Sequence, residues 1–242
     1  MATLNTHIAR AGWLCRRLPA SLAARLILSR LARALLRPGT QESYSQLGED
    51  IILWGLLRHG PPGFYVDVGC NHPLRDSNTF RLYLEGWHGI TIDASAPLIA
   101  LHRRLRPGDV PVCAVVSDRE EEVAFAELPE SRRSRMVTAD WGPAAEDRAR
   151  IRRVTSRTLN AILAEHDCPH RFGLLNLDLE GHEAQALGGL SLERFRPDVV
   201  AVEIHGLDLS KPQASPSARH LLDAGYALIG CLPPTAIFRD SV

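Results

Sequence analysis

The 242-residue chain lacks several features that mark special classes of protein. Its five cysteines are widely spaced and form no Cys-x-x-Cys pair, which argues against a zinc ribbon or a disulfide framework and favours a reducing, cytoplasmic compartment. No run approaches the roughly 18 apolar residues that a membrane-spanning helix needs. The formal net charge is zero, so we expect no nucleic-acid partner, because such partners usually require a basic surplus.

Acidic residues are also missing from positions 1–41, which carry seven arginines, so the rest of the chain has a net charge of minus seven. From residue 24 this segment is predicted to be helical, because apolar and basic residues recur at helical spacing on opposite faces. The apolar face consists of Ala24, Leu28, Leu31 and Leu35. The basic face consists of Arg30, Arg33 and Arg37. Pro38-Gly39 ends the helix.

This basic amphipathic leader, residues 1–40, has three interpretations. The helix packs on the folded domain or on a second subunit of a homodimer. Alternatively, it lies peripherally on an anionic membrane surface. In the third interpretation it is a targeting peptide, since such peptides are rich in arginine and poor in acids.

Beyond residue 40, short apolar segments alternate with helical ones. Strands are expected at 64–69, 89–94, 110–116, 122–127, 172–179, 198–204, 226–231 and 235–239. Helices are expected at 77–85, 97–105, 158–166, 182–187 and 215–224. This alternation predicts an α/β domain over residues 41–242 with a mostly parallel, doubly wound, Rossmann-like sheet.

Residues 129–154 form an arginine-rich insertion that fits this alternation poorly. It is either a solvated surface loop or a lid whose arginines bind a phosphate-bearing or otherwise anionic substrate.

Ligands of such sheets bind beyond the carboxyl ends of the strands, where four residues point to a cofactor. Gly69 allows a tight turn, but the full Gly-x-Gly-x-x-Gly pattern is missing, which disfavours a pyrophosphate cofactor such as NAD. Asp67 suits a cationic group. Asp93, 24 residues beyond Gly69, can accept ribose hydroxyls or cap the next helix. Ser117 is either an adenine contact or part of a simple turn. Adenosine with a cationic centre and no pyrophosphate indicates S-adenosylmethionine.

Three ordered motifs resemble the FkbM family of methyltransferases. They are Ser45-Gln-Leu-Gly-Glu-Asp50, Val66-Asp-Val-Gly-Cys-Asn-His-Pro73 with Ser77-Asn-Thr79, and Asn176-Leu-Asp-Leu-Glu-Gly-His-Glu183. The resemblance runs from about Tyr44 to Glu203 and implies a class I S-adenosylmethionine-dependent methyltransferase, typically an O-methyltransferase. By position, Asp67, Gly69 and Asn71 would shape the methionine end of the cofactor site. The resemblance also places Asp93 at the ribose, Ser117 near adenine, and Gln46 and Glu49 over the methionine moiety.

The strand ends after residue 177 supply the catalytic candidates. They are Asp178, His182, Glu203 and His205. An acceptor alcohol must lose its proton, so a base such as His182 or a metal helps the transfer. These four side chains are expected to converge as a base site. They could instead hold a divalent cation such as Mn, Fe or Zn.

The sequence therefore predicts an O-methyltransferase that acts on a hydroxyl of a sugar or natural-product-like small molecule, including a lipid-linked glycan. An N- or carboxyl-methyltransferase, or an inactive binding protein with this fold, is the alternative.

Overall fold

A computed structural model describes residues 15–16, 18–36, 40–60, 63–127, 135–136 and 150–241. The strands are β1 (Phe64–Val68), β2 (His88–Asp93), β3 (Val110–Cys113), β4 (Val115–Val116), β5 (Glu122–Glu127), β6 (Arg135–Met136), β7 (Arg150–Arg157), β8 (Arg171–Leu177), β9 (Arg196–Glu203), β10 (Tyr226–Leu232) and β11 (Thr235–Asp240). The helices are α1 (Ala20–Leu36), α2 (Glu49–Leu57), α3 (Phe80–Leu84), α4 (Ala96–Leu105), α5 (Leu159–Glu165), α6 (Glu183–Gly188) and α7 (Pro216–Asp223), with a 3-10 turn at Pro212–Ala214.

Seven strands form the main sheet in the order β10-β11-β9-β8-β1-β2-β3. β1 pairs in parallel with β2 and with β8, and β8 pairs in parallel with β9. β11 runs antiparallel to both of its neighbours. The prediction of a mostly parallel Rossmann-like sheet is confirmed, and the central position of β1 makes its carboxyl end the middle of the ligand-binding edge.

Alternate residues of the central strands pack on opposite faces of the sheet, as a parallel sheet covered on both sides requires. Val66 and Val68 belong to a core that includes residues of α5, α6 and α7. Tyr65 belongs to a second core with Leu53 of α2 and Leu174 of β8. The sheet is therefore a rigid support for the turns at its carboxyl edge.

The strand predicted at 110–116 is wrong as a single element, because it divides at Ala114. β3 closes the main sheet, while β4 begins a second sheet in the order β4-β7-β5-β6. β5 pairs antiparallel with both β6 and β7, so the described parts of the arginine-rich insertion are strands. Residues 128–134 and 137–149, on which the lid interpretation depends, lie outside the described residues.

The leader helix α1 begins at Ala20, before its predicted start. Its packing face was not predicted: Leu22, Leu26 and Ile27 lie against a cluster that contains Phe80 and Tyr83. The predicted apolar face, at Leu28 and Leu31, is exposed instead. Among the described helices, none combines the length and apolar character that crossing a membrane would require.

Candidate active site

The turns that follow β1, β2, β4, β8 and β9 lie along the carboxyl edge of the two sheets. These turns and the strand ends before them carry nine of the eleven predicted site residues: Asp67, Gly69, Asn71, Asp93, Ser117, Asp178, His182, Glu203 and His205. The other two, Gln46 and Glu49, precede α2 or begin it.

Gly69 forms the turn after β1 with a φ of 76°, in the left-handed region. A Cβ atom at this position would lie 1.8 Å from the carbonyl oxygen of Asp178. Glycine is required here because the turns after β1 and β8 meet backbone to backbone. The N–H groups of Gly69 and Cys70 both donate to the carbonyl of Ile92, at 2.9 and 3.1 Å. They are therefore not free to bind a pyrophosphate, in agreement with the missing glycine pattern.

Asp93 joins the turns after β1 and β2. Its Oδ2 accepts the N–H of Asn71 at 3.0 Å, and its Oδ1 accepts the N–H of Ser95 at 2.8 Å. Burial raises the pKa of Asp93, and these two backbone hydrogen bonds oppose the rise. Asp93 is half-buried at the end of β2.

His102 of α4 supports the same turn, and sequence reasoning missed it. Its Nε2 lies 3.0 Å from the carbonyl oxygen of Asn71, a residue with a φ of 47°. Burial and the nearby Arg106 lower the pKa of His102 to about 3. The imidazole is therefore neutral at physiological pH, and its Nε2–H donates to that carbonyl.

Asp67 belongs to a buried network rather than to the open edge. It is 2% exposed and accepts hydrogen bonds from Thr79 and, at 2.9 Å, from the Asn176 amide. Arg106, fully buried, donates to Thr79 at 3.1 Å and to Asp109 at 2.7 Å. The hydroxyl of Tyr65 closes the network by donating to Asp109 at 2.6 Å. We call these six residues the Asp67 network; Arg106 is its one cation and faces the carboxyls of Asp67 and Asp109.

Gln46 and Glu49 lie on the segment that leads into α2. Gln46 is exposed, whereas Glu49 is buried and accepts the N–H of Leu47 at 2.9 Å. The carbonyl of Tyr44 accepts the N–H of Ser77 at 2.8 Å, which holds this segment beside the chain that follows the Gly69 turn.

Three of the four predicted catalytic residues come together. The carboxyls of Asp178 and Glu203 share a hydrogen bond. Oε1 of Glu203 lies 3.4 Å from Nε2 of His205. Glu180, which was not assigned a role from the sequence, joins them: one ligand atom each of Glu180, Glu203 and His205 lies within 4.8 Å of the others. We call Asp178, Glu180, Glu203 and His205 the Asp178 cluster.

The pKa of Asp178 is raised to about 8. Burial is the largest cause, followed by the neighbouring carboxyls of Glu203, Glu180 and Glu183. The pair of Asp178 and Glu203 therefore holds a proton near neutral pH. Glu183 also has a local role, because its Oε1 accepts the N–H groups of Leu179 and Gly181 at 2.8 and 3.1 Å and so shapes the turn after β8.

His182, the fourth predicted catalytic residue, contacts a side chain outside this cluster. Its Nε2 is 3.2 Å from Oγ of Ser117, which in turn donates to Asp118 at 3.2 Å. Burial lowers the pKa of His182, and Asp118 opposes that shift. His182, a predicted catalytic residue, thus contacts Ser117, the residue predicted to lie near adenine.

Comparison with known protein families identifies the class of enzyme to which the chain belongs. Residues 67–228 match the family model described as the methyltransferase FkbM domain, which covers more than half of the chain. The protein is thus a methyltransferase. It belongs to the FkbM methyltransferase family, which implies S-adenosylmethionine as the methyl donor.

Two solved structures are similar to the chain. One is a TehB-like SAM-dependent methyltransferase from Corynebacterium glutamicum, with 11% identity, a TM-score of 0.42, and coverage of 88% of this chain and 96% of that one. The other is the methyltransferase FkbM from Methylobacillus flagellatus, with 15% identity, a TM-score of 0.49 and coverage of 98% of this chain. The match spans 60% of the length of the Methylobacillus protein. No curated protein matches the sequence.

Proposed function

We propose that this methyltransferase methylates a hydroxyl oxygen of a sugar or natural-product-like small molecule, including a lipid-linked glycan. The observation that carries the proposal is the Asp178–Glu203 carboxyl pair, whose turn touches Gly69. A proton-accepting group at this position serves an alcohol, which must lose its proton, better than an amine that reacts unprotonated. The resemblance to FkbM enzymes supports the acceptor class.

S-adenosylmethionine, when bound, supplies a methyl group on a positively charged sulfur. The residues at the carboxyl edge suit such a ligand, since the N–H groups of the Gly69 turn are already bonded and the surrounding side chains are mainly acidic. Asp93 would accept the ribose hydroxyls, and Asn71 would line the methionine end. Ser117 together with His182 would line the adenine side. Asp67 would act indirectly, by holding β1 and its turn in place.

In the proposed reaction, His205 orients the acceptor hydroxyl and Glu203 takes its proton. Asp178 keeps the pair partly protonated, because two adjacent buried carboxylates repel each other. A base whose pKa lies near the working pH is effective in proton transfer. Alignment of the acceptor oxygen with the methyl group contributes the larger share of the acceleration.

A divalent cation is the alternative that the same cluster supports. Glu180, Glu203 and His205 offer three ligand atoms within 4.8 Å, and a mixed carboxylate and imidazole set suits Mn, Fe or Zn. A bound cation would lower the pKa of the hydroxyl directly. If a chelator abolishes turnover and a divalent ion restores it, the cation is required; a carboxyl base predicts unchanged turnover.

The acceptor chemistry is tested by methyl transfer from S-adenosylmethionine that carries a ¹³C-labelled methyl group. The protein is incubated with a panel of glycosides and hydroxylated natural products, and the products are treated with alkali. We expect a labelled methyl ether, which survives alkali. A methyl ester would be hydrolysed and an N-methyl product would carry the label on nitrogen, so either would contradict O-methylation of a hydroxyl. Cofactor binding without transfer to any acceptor would indicate an inactive binding protein.

Cofactor binding is tested separately by calorimetry. We expect micromolar affinity for S-adenosylmethionine, roughly −8 kcal/mol. Asp93→Ala should weaken it by about 1.5–3 kcal/mol, because charge-assisted hydrogen bonds to the ribose are lost. Asp223→Ala, at an exposed position of α7, is the matched control and should leave the affinity unchanged. Tight NADH binding without S-adenosylmethionine binding would contradict the cofactor assignment.

A further inference from the structure

Helix α1 presents two apolar faces, and the protein covers only one of them. Leu22, Leu26 and Ile27 pack against the domain. On the rest of the helix, Leu28 is 66%, Leu31 56% and Leu36 80% exposed. These three account for one third of the strongly exposed large hydrophobic side chains in the described part of the chain. Such a concentration on one helix marks an interaction surface.

The charge around this face is of one sign. Positions 1–41 hold seven arginines and no acid, and Arg25 of α1 is exposed. The rest of the chain carries a net charge of minus seven, so the positive charge is confined to the leader. Exposed leucines within a basic segment are complementary to the surface of an anionic bilayer, where the leucines enter the acyl boundary and the arginines pair with headgroups.

We propose that the exposed face of α1, formed by Leu28, Leu31 and Leu36, binds the surface of an anionic lipid bilayer. A second copy of the chain is less favoured as the occupant, because two such helices packed face to face would bring their arginines together. The helix would lie in the plane of the interface, consistent with the exposed positions of its leucines along one side. This inference does not depend on the identity of the methyl acceptor.

Point variants test the face better than truncation does. Removal of α1 would uncover Phe80 and Tyr83, to which its other face packs, and could unfold the domain for an unrelated reason. The variant Leu28→Ser/Leu31→Ser changes only exposed side chains. Leu209→Ser is the matched control, since Leu209 is 58% exposed on a loop outside the leader.

The full chain is sedimented with vesicles of phosphatidylglycerol and phosphatidylcholine in equal amounts, and with vesicles of phosphatidylcholine alone. We expect binding to the anionic vesicles only, weakened by added salt. Each buried leucine contributes about tenfold or more to partitioning, so the double variant should bind about 100-fold more weakly, while Leu209→Ser should bind like the wild type.

The proposal is overturned if the double variant and the wild type bind anionic vesicles equally, or if neither binds. It is also overturned if the double variant changes the mass of the particle in light scattering without a change in vesicle binding, because the face would then join two copies of the chain.

Discussion

Asp67 in β1 and Asp178 directly after the adjacent strand β8 are both largely buried aspartates, yet their surroundings are opposite. Burial raises the pKa of each. At Asp67 the rise is countered by Arg106 and by hydrogen bonds from Thr79 and Asn176. At Asp178 it is increased by three neighbouring carboxyls. A buried carboxylate that is balanced holds structure, whereas one placed among like charges is poised to exchange a proton.

The strongest test of this contrast is Glu203→Gln. If the Asp178 cluster takes the proton of the substrate hydroxyl, the variant should lower turnover by about 10²–10⁴-fold. The reason is that glutamine keeps the shape of the Glu203 side chain but cannot act as the base. Calorimetry should show an unchanged affinity for S-adenosylmethionine. Glu193→Gln, at an exposed position, is the control for a charge change of the same kind. A wild-type rate in Glu203→Gln would remove the cluster from the chemistry.

A substitution in the Asp67 network should lower the stability of the fold rather than the rate of methyl transfer. Arg106→Met leaves Asp67 and Asp109 buried without their cation, so we expect a loss of about 3–5 kcal/mol in the free energy of unfolding. Urea denaturation measures it. Arg103→Met, in the last turn of α4 just before Arg106, removes an exposed arginine and should change stability by less than about 0.5 kcal/mol. Equal losses in both variants would mean that the network is not a special source of stability.

The dependence of stability on pH should show a further difference between Asp67 and Asp178. The raised pKa of Asp178 means that the native state keeps a proton that the unfolded chain releases above about pH 4, so this contribution to stability is lost as pH rises toward 8. Asp178→Asn removes that loss. In denaturation experiments, the free energy of unfolding of the variant relative to that of the wild type should rise by about 1–3 kcal/mol from pH 5 to pH 9. A constant difference across this range would contradict the raised pKa.

The smallest expected effect belongs to His182. Because His182 contacts Ser117 on the proposed adenine side of the site, His182→Ala should lower kcat/KM by only about tenfold, mainly through the KM for the cofactor. The pH profile of kcat should keep its shape, since the titrating carboxyl pair is untouched. A 10³-fold loss of kcat together with the loss of one limb of the profile would restore His182 as the base.

Local patterns in the sequence were sufficient for much of the fold. Alternating apolar strands and helices predicted a parallel sheet, and the rule that ligands bind at carboxyl ends directed attention to Gly69, Asp93 and Asp178. Glu203 and His205, selected because they follow the same strand, lie 3.4 Å apart, although His205 belongs to the turn after β9 rather than to the strand. These features depend on residues that are close together in the chain.

Features that depend on distant residues were missed. The side chain that balances Asp67 comes from Arg106 beyond α4, and no spacing rule connects the two. The break at Ala114 follows from the pairing of β4 with the far end of β7, a strand that begins inside the arginine-rich insertion. Glu180 joins Glu203 and His205 because it has a φ of 52°, a backbone conformation that a side-chain pattern does not reveal.

The close approach of Gly69 to the carbonyl of Asp178 has a consequence for how this enzyme can diversify. Where two main chains touch, their separation does not depend on the size of any side chain. In the proposed reaction, this contact would therefore fix the spacing between the turn that holds the methyl donor and the Asp178 cluster, whatever side chains surround it. Under that proposal, enzymes of this kind would change their acceptor through the side chains around the site rather than through this backbone spacing.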